Sequence, residues 1–281
     1  MTESAFELVT LRCGATSILS RVHGETMHIG TDPGTEALEL HLRQQRVAER
    51  VAESVRSDPF VIWDVGLGPA ANAITAIEAL RDGKKPVEIH SFEISTEVLE
   101  FALNHSQSLG YLAGWESVVG ELLSAGSAYP TPEIRWVLHR GDFSRDETKT
   151  PAPSAIFFDP YSPARNAEMW SLEIFQKLWQ AVSAPEAPSC TMTSYTRSTA
   201  VRTGMALAGW FVGAGVPTGE KTETTIAANH MELLARPLGI HWLERVRAST
   251  NGAPIRGSCY EKGPISPEDF ARLKALPQFS C

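Results

Sequence analysis

IFFDPYSPARNAEMW, residues 156–170, is the stretch on which the reading of this chain turns. A short apolar run that ends abruptly in Asp-Pro is the pattern of a buried strand reaching the edge of a parallel sheet. In open α/β proteins ligands bind in the crevice beyond that edge. Asp159 is therefore expected to face a crevice. Tyr161, Ser162, Pro163, Arg165 and Asn166 then form a loop rich in hydrogen-bonding groups, and apolar residues return at helical spacing over 168–182.

Working outward, the chain alternates strand and helix. Residues 60–65 read as a buried strand, 70–80 as a helix ended by Asp82-Gly83, and 87–92 as a second strand. Ser95 or Thr96 caps a helix that stops at Gly110. Residues 111–133 carry an apolar patch at Trp115, Val118, Val119, Leu122 and Leu123 without a regular period. Strands are expected at 135–139, 155–158 and 190–194, a helix at 198–208, and a closing strand pair at 210–212 and 224–228. Alternation of this kind predicts a mainly parallel, seven-stranded sheet with helices on both faces. Ahead of it, 6–12 and 16–21, joined at Cys13-Gly14-Ala15, predict a β-hairpin. A loop over 28–34 and a helix over 35–55 follow. The expected organisation is one α/β domain over 1–281: hairpin and helix through 58, core over 59–230, and a C-terminal extension over 231–281.

The net charge of −8 argues against a surface that holds nucleic acid by bulk electrostatics. It leaves room for a local basic face, and residues 231–281 carry seven Lys or Arg against five Asp or Glu. No segment approaches the length of a membrane-spanning helix. The start MTESAFELV lacks the basic-then-apolar layout of a secretory signal, so a cytoplasmic location is expected. Cysteines at 13, 190, 259 and 281 have no CxxC or Cys/His spacing suited to zinc and are expected to be reduced packing residues. No metal site is expected.

Between the first strand and its helix lies Asp64-Val65-Gly66-Leu67-Gly68-Pro69-Ala70. Glycines there permit a tight reversal and close approach of a ligand to the backbone, and the helix N-terminus offers unpaired N–H groups. Glu93, at the end of the second strand, can accept hydrogen bonds from a ribose diol. Gly141-Asp142-Phe143 puts a carboxylate and an aromatic where an adenine can be hydrogen-bonded and covered. Together these point to an adenosine-containing ligand. The GxGxxG fingerprint of NAD is incomplete, since Ala71 and Ala73 follow the first two glycines. An acid at Asp64 suits the amino group of a methionine moiety better than a pyrophosphate. S-adenosyl-L-methionine (SAM) is the better fit, with Asp64, Gly66, Gly68, Asn72, Glu93, Asp142 and Phe143 as its candidate contacts.

The order Asp64 and GxG turn, Glu93, Asp142, Asp159 resembles that of class I methyltransferases, which implies a Rossmann-like fold. The segment DPYSPARNAEMW resembles, more specifically, the methyltransferase module of the MnmC/MnmD family. That family finishes 5-methylaminomethyl-2-thiouridine at the tRNA wobble position. Asn72 matches the family's turn, and the resemblance spans roughly residues 28–228. It also includes Glu36, Gly141-Asp142, the strand end Thr193-Ser194-Tyr195 and Arg202. It implies a stand-alone methyltransferase without an FAD-dependent domain, using SAM to N-methylate a 5-aminomethyl wobble uridine, with tRNA as partner. His28, Glu36 and Tyr195 are substrate-side candidates chiefly through this resemblance.

Methyl transfer to an amine requires a deprotonated nitrogen in line with the S–CH3 bond. Asp159 and Tyr161 are the candidate catalytic residues; Asp159 can orient the amine N–H and stabilise the charge that develops on nitrogen. The alternative is a loop cap through Asx-type bonds. Tyr161 and Trp170 can frame a base by stacking, and Arg165 and Arg202 can meet phosphates. Trp170 equally fits the apolar stripe of Leu172, Ile174, Phe175, Leu178 and Val182, and either arginine can simply be solvated. Two other functions stay open: a methyltransferase acting on a small amine or other metabolite, and a non-catalytic SAM-binding protein.

Overall fold

The computed structural model describes residues 4–28, 30–145, 150–218 and 222–280. Ile29, inside the loop expected over 28–34, and Cys281 lie outside the described residues.

The chain opens with β1 (Phe6–Thr10) and β2 (Thr16–Ser20), the expected hairpin, to which a short β3 (Glu25–Thr26) adds antiparallel on β2. Where one helix is expected over 35–55, the chain forms α1 (Pro33–Ala37), a π-helical turn Leu38–Arg43, and α2 (Val47–Glu53). The break falls at Arg46, whose φ is 52°. Tertiary hydrogen bonds account for it. His41 Nδ1 lies 2.8 Å from Thr193 Oγ1, and Gln45 Nε2 donates to Thr193 Oγ1 and to the Ile156 carbonyl. Arg50 donates to Thr191 Oγ1 and to the carbonyls of Ser154 and Ser189. An unbroken α-helix would turn several of these groups away from the sheet.

The core begins with β4 (Phe60–Val65), α3 (Ala71–Leu80) and β5 (Val87–Glu93). Next come α4 (Glu97–Asn104), α5 (Ser106–Leu109) and α6 (Glu116–Ala125), then β6 (Ser127–Thr131) and β7 (Ile134–Arg140). The remainder is β8 (Ala155–Phe158), α7 (Leu172–Gln180), β9 (Thr191–Ser194), α8 (Thr199–Leu207), β10 (Phe211–Ala214) and β11 (Thr225–Ala228). The C-terminal stretch adds α9 (Ile240–Ala248) and α10 (Pro267–Lys274).

These strands form an eight-stranded sheet in the order β10-β11-β9-β8-β4-β5-β7-β6. The pairs from β9 across to β7 are parallel, so β9, β8, β4, β5 and β7 deliver their C-terminal ends to one edge. The strand beyond the expected seven is β6, antiparallel on β7 with a register shift between Ala128 and Thr131. It and α6 lie where 111–133 read as irregular. Pro130 confines this strand to a sheet edge and masks it in sequence.

Helices cover both faces. On one, α7, α8, α9 and α10 bury Trp170, Phe175, Leu178, Trp210, Trp242 and Leu273 against β8 and β9. On the other, α3, α4 and α6 bury Ile74, Ile77, Leu99 and Leu122 against Ile62, Ile89 and Trp136. Among the described residues no helix is long and apolar enough to cross a membrane. Among the described cysteines Cys190 alone is a packing residue; Cys13 and Cys259 are exposed, contrary to expectation, because both sit in surface turns.

Arg202 also departs from its expected role. It is 1% exposed and bonds Thr225 Oγ1 at 2.9 Å, Glu223 Oε1 at 3.0 Å and the Thr224 carbonyl at 2.7 Å, tying α8 to β11. All its polar reach is spent inside the protein, so it is a structural cation and not a phosphate contact. Truncating it takes this donor from the buried Thr225 hydroxyl and Thr224 carbonyl, a loss of about 1–3 kcal/mol. Arg202→Ala is expected to lower stability on that scale in denaturant unfolding while leaving SAM affinity of the folded protein unchanged.

Candidate functional site

The carboxyl ends of the parallel strands form the floor of a cleft of about 1210 Å³. The small N-terminal sheet forms its opposite wall through Phe6, Val9, Ser20, His23, Glu25 and Met27. Two ends can be distinguished by the residues that line them.

At the first end, β4 runs into the turn Gly66-Leu67-Gly68-Pro69-Ala70, in which Gly66, Gly68 and Ala70 have φ of 89°, 51° and 66°. Gly66 is obligatory on two counts: its φ is left-handed, and an added Cβ would stand 2.8 Å from the Asp159 carbonyl oxygen. The turn is braced from both sides. Gly68 N–H donates to Glu93 Oε2 at 2.9 Å, and Tyr111 Oη donates to the Pro69 carbonyl at 3.1 Å. Glu93 Oε1 accepts the N–H groups of Ile94 and Ser95. Burial raises the Glu93 carboxyl above its ordinary range, against the backbone N–H groups of Gly68, Ser95 and Ile94. Beyond β7, Asp142 Oδ1 accepts from Ser144 N at 2.9 Å and from Ser144 Oγ at 2.7 Å. Phe143 packs edge-on to Phe92 and Trp63, and Lys177 donates to its carbonyl at 2.6 Å. Gly66, Gly68, Asn72, Glu93, Asp142 and Phe143 all line this cleft.

Asp64 does not. Its side chain is fully buried under the turn, where Ser91 Oγ donates to its Oδ2 at 2.8 Å and Trp136 Nε1 in turn donates to Ser91 Oγ. The expected contact with a ligand amino group is corrected accordingly: the strand pleat turns this carboxyl toward β5. Burial and the nearby Asp159 and Glu93 charges, against the Ser91 bond, push its pKa up to about 7.

At the second end, Asp159 follows β8 directly, its N–H bonded to the Val65 carbonyl. Asn72 Nδ2 donates to Asp159 Oδ2 at 2.9 Å, which joins the first turn of α3 to the acid. His28 and Glu36 line the same end, His28 Nδ1 standing 3.6 Å from Glu36 Oε2. Burial works against a charge on His28, but the Glu36 bond and the charges of Asp159, Glu36 and Asp32 outweigh it and raise the pKa. Tyr195 donates its hydroxyl to the Pro160 carbonyl at 3.1 Å. Burial and the charges of Asp159, Glu25 and Glu36 hold its phenol well above the usual value, so it serves as a neutral donor and not as a base.

Trp170 is placed away from any base-stacking position. It is 0% exposed, donates Nε1 to the Tyr161 carbonyl at 2.7 Å, and meets Phe158 and Tyr195 edge-on. The apolar stripe that continues into α7 draws it into the core. Tyr161 does line the cleft, but one ring face lies on His23 with centroids 4.1 Å apart. Arg165 is half-exposed and its Nε is 3.9 Å from Glu25 Oε1. The sequence reading missed Glu25, His23, Arg12 and Arg197, all in the cleft wall. Their only sequence signal was a charged residue at a hairpin or strand end, which is common on any surface.

Residues 129–230 match a family model described as S-adenosyl-L-methionine-dependent methyltransferase. Two curated relatives are each called tRNA 5-methylaminomethyl-2-thiouridine biosynthesis bifunctional protein MnmC. That of Ralstonia nicotianae is 28% identical over 215 residues, which cover 70% of this chain and 29% of that protein. That of Pseudomonas paraeruginosa is 28% identical over 221 residues, 73% of this chain and 32% of that protein. The chain thus spans about a third of the length of the curated relatives it matches. Among solved structures, MNMC2 from Aquifex aeolicus superposes with a TM-score of 0.70 at 23% identity, over 97% of this chain and 85% of that one, a likeness of fold. The chain is an S-adenosyl-L-methionine-dependent methyltransferase, and its family likeness is to the methyltransferase part of MnmC.

Proposed function

We propose that this methyltransferase N-methylates the 5-aminomethyl group of a modified wobble uridine in tRNA, with Asp159 as the catalytic residue. The observation that carries this reading is the fixed carboxyl at the second end of the cleft. Asp159 stands against the Gly66 turn and is held by Asn72, so an acceptor nitrogen bonded to it lies beside the site of the methyl donor. The likeness to MnmC supports the choice of acceptor.

The residues fit SAM. Left-handed glycines leave the turn open to a ligand, Glu93 offers a carboxylate at the strand end where a ribose diol sits, and Asp142 with Phe143 suits an adenine. When bound, SAM supplies a methyl group made electrophilic by its positively charged sulfur. Asp159 would accept an N–H of the neutral amine, aim its lone pair and stabilise the positive charge that nitrogen acquires as the N–CH3 bond forms and the S–CH3 bond breaks to leave a neutral thioether, and would then take the proton that nitrogen sheds. Asp159 then passes the surplus proton to water. Tyr195 and Asn72 keep the acid and the Pro160 backbone in place, and the free face of Tyr161 is available to an aromatic base. His28 and Glu36 bound the acceptor on its other side, and Arg12, Arg165 and Arg197 give the cleft wall local positive charge despite the net charge of −8.

A second reading, a small amine as acceptor, is favoured by that acidic net charge and by the pairing of Arg165 with Glu25 and Arg202 with Glu223. Salt separates the two, because tRNA association weakens steeply with ionic strength.

Transfer of labelled methyl from SAM to tRNA carrying the 5-aminomethyl wobble precursor tests the reading directly. Asp159→Asn is expected to lower kcat by about 100-fold or more, with SAM affinity nearly unchanged; full activity in this variant would remove Asp159 from the chemistry. Glu93→Ala is expected to weaken SAM binding by roughly 10- to 100-fold, the scale of lost hydrogen bonds to a charged group, as read by calorimetry. Asp64 keeps its proton in the folded chain up to about pH 7, whereas an unfolded chain releases it at about pH 4. The native state therefore binds the extra proton between those values, and this contribution to stability is lost as pH rises from about 4 through about 7. Thermal melts across that window should show wild type losing stability relative to Asp64→Asn as pH rises; a constant difference would contradict the protonated state of Asp64.

A further inference from the structure

The loop after β8 is held from two sides. From the core, Trp170 Nε1 bonds the Tyr161 carbonyl at 2.7 Å and Tyr195 Oη bonds the Pro160 carbonyl at 3.1 Å. From the N-terminal sheet, the β2–β3 turn grips it at several points that converge on Glu25. Ser162 donates its backbone N–H to Glu25 Oε2 at 3.1 Å and its hydroxyl to Glu25 Oε1. Arg165 Nε stands 3.9 Å from Glu25 Oε1. The Arg165 guanidinium also lies over Gly24, where a Cβ would sit 3.5 Å from Nη2. Beside it, Tyr161 stacks on His23 at 4.1 Å with 19° between planes, and His23 Nδ1 lies 3.0 Å from Ser20 Oγ. The turn that presents Glu25 is tight: Gly24 has φ of 62° and bonds its N–H to the Ser20 carbonyl at 2.8 Å.

We infer that Glu25 is a positioning residue for methyl transfer, tying the loop that carries Tyr161 and adjoins Asp159 to the opposite wall of the cleft. The inference rests on the reading that this end of the cleft receives the acceptor. Bonds from N–H and O–H to a carboxylate are strong, and Glu25 accepts two of them from Ser162, adding a hold from the opposite wall to the two bonds from the core. The loop has to be fixed because an error of about 1 Å in the placement of reacting groups costs on the order of 100-fold in rate. Glu25 reaches neither the glycine turn nor Glu93 through any of these bonds, so its effect falls on the acceptor and not on the methyl donor.

Three readouts on one set of variants test this: SAM affinity by calorimetry, hydrogen exchange of the 160–166 amides, and steady-state transfer to aminomethyl-bearing tRNA. Glu25→Ala is expected to speed exchange in 160–166, leave SAM affinity within about twofold, and lower kcat by about 10-fold or more. Glu25→Gln keeps an acceptor for Ser162 and is expected to restore much of both the protection and the rate. Unchanged exchange at 160–166 in Glu25→Ala overturns the inference, and so does unchanged kcat, or a rate loss matched by an equal loss of SAM affinity. If wild type transfers nothing to this tRNA, the acceptor assignment fails, and the exchange and SAM-affinity readouts still decide whether Glu25 holds the loop.

Discussion

The contact between Gly66 and the backbone of Asp159 and Pro160 sets the geometry of everything around it. Strands β4 and β8 are hydrogen-bonded in parallel up to their ends, and each then turns into a different functional segment. With no side chain at position 66 the two segments touch; a methyl group there would stand 2.8 Å from the Asp159 carbonyl oxygen and 3.0 Å from Pro160 Cα. The glycine turn and the segment that carries Asp159 are thereby held as one unit. Asn72, on the first turn of α3, closes the arrangement by bonding the acid itself. A reaction whose rate depends on near-attack placement benefits from exactly such rigid neighbours on adjacent strands rather than on free loops.

The N-terminal segment completes the cleft, and buried polar bonds bring it there. Arg50, Gln45 and His41 reach across to Thr191, Thr193, Ser154 and the Ile156 carbonyl, fixing α2 and the π-helical turn against β8 and β9. These are costly groups to bury, and each is worth keeping only while its partners are in register. Burial and the neighbouring His28 charge lower His41 to about 3, so this histidine stays neutral, while His28, largely buried too but beside Glu36, Asp159 and Asp32, is biased toward its charged form. One segment thus supplies a neutral structural histidine and a cation-prone one at the site.

How far the sequence was legible follows from the range of the interactions involved. Strands β4 and β8 were readable as nearly continuous apolar runs, with Asp64 close to the end of one and Asp-Pro after the other, and β5 by its Val87, Ile89 and Phe92 ahead of Glu93, all local patterns. The break at Arg46 was not, since the bonds that favour it connect His41 and Gln45 to Thr193, about 150 residues away in the chain. Strand β6 was hidden by Pro130 and by its register shift. Arg202 looked free to meet phosphate because its partners, Thr224, Thr225 and Glu223, come from another strand and its approach. Glu25 looked like any charged residue at a strand end, its partner in the loop lying 137 residues on. Residue types at strand ends marked where the site lies; which side chains face it depended on pleat and tertiary contact.

Charge is distributed in a way that suits the chemistry. The cleft gathers Glu36, Glu93, Asp142 and Asp159 near its floor, while the arginines stand on its walls, Arg165 already drawn toward Glu25. Burial raises the carboxyls of both Asp64 and Glu93, and at Asp64 the charges of Asp159 and Glu93 add to it. A cation entering such a floor relieves that repulsion and is attracted more strongly than it would be in water. A sulfonium carries that charge and a thioether does not, so the floor favours the methyl donor over the product that remains after transfer. In the proposed reaction the same floor suits an acceptor that becomes positive as it reacts, because the charge would appear beside Asp159. In the proposed transfer to an amine the gain in rate comes from the acceptor side: attraction of the sulfonium strengthens donor binding without lowering the barrier, whereas stabilisation of the charge that appears on nitrogen is made in the transition state.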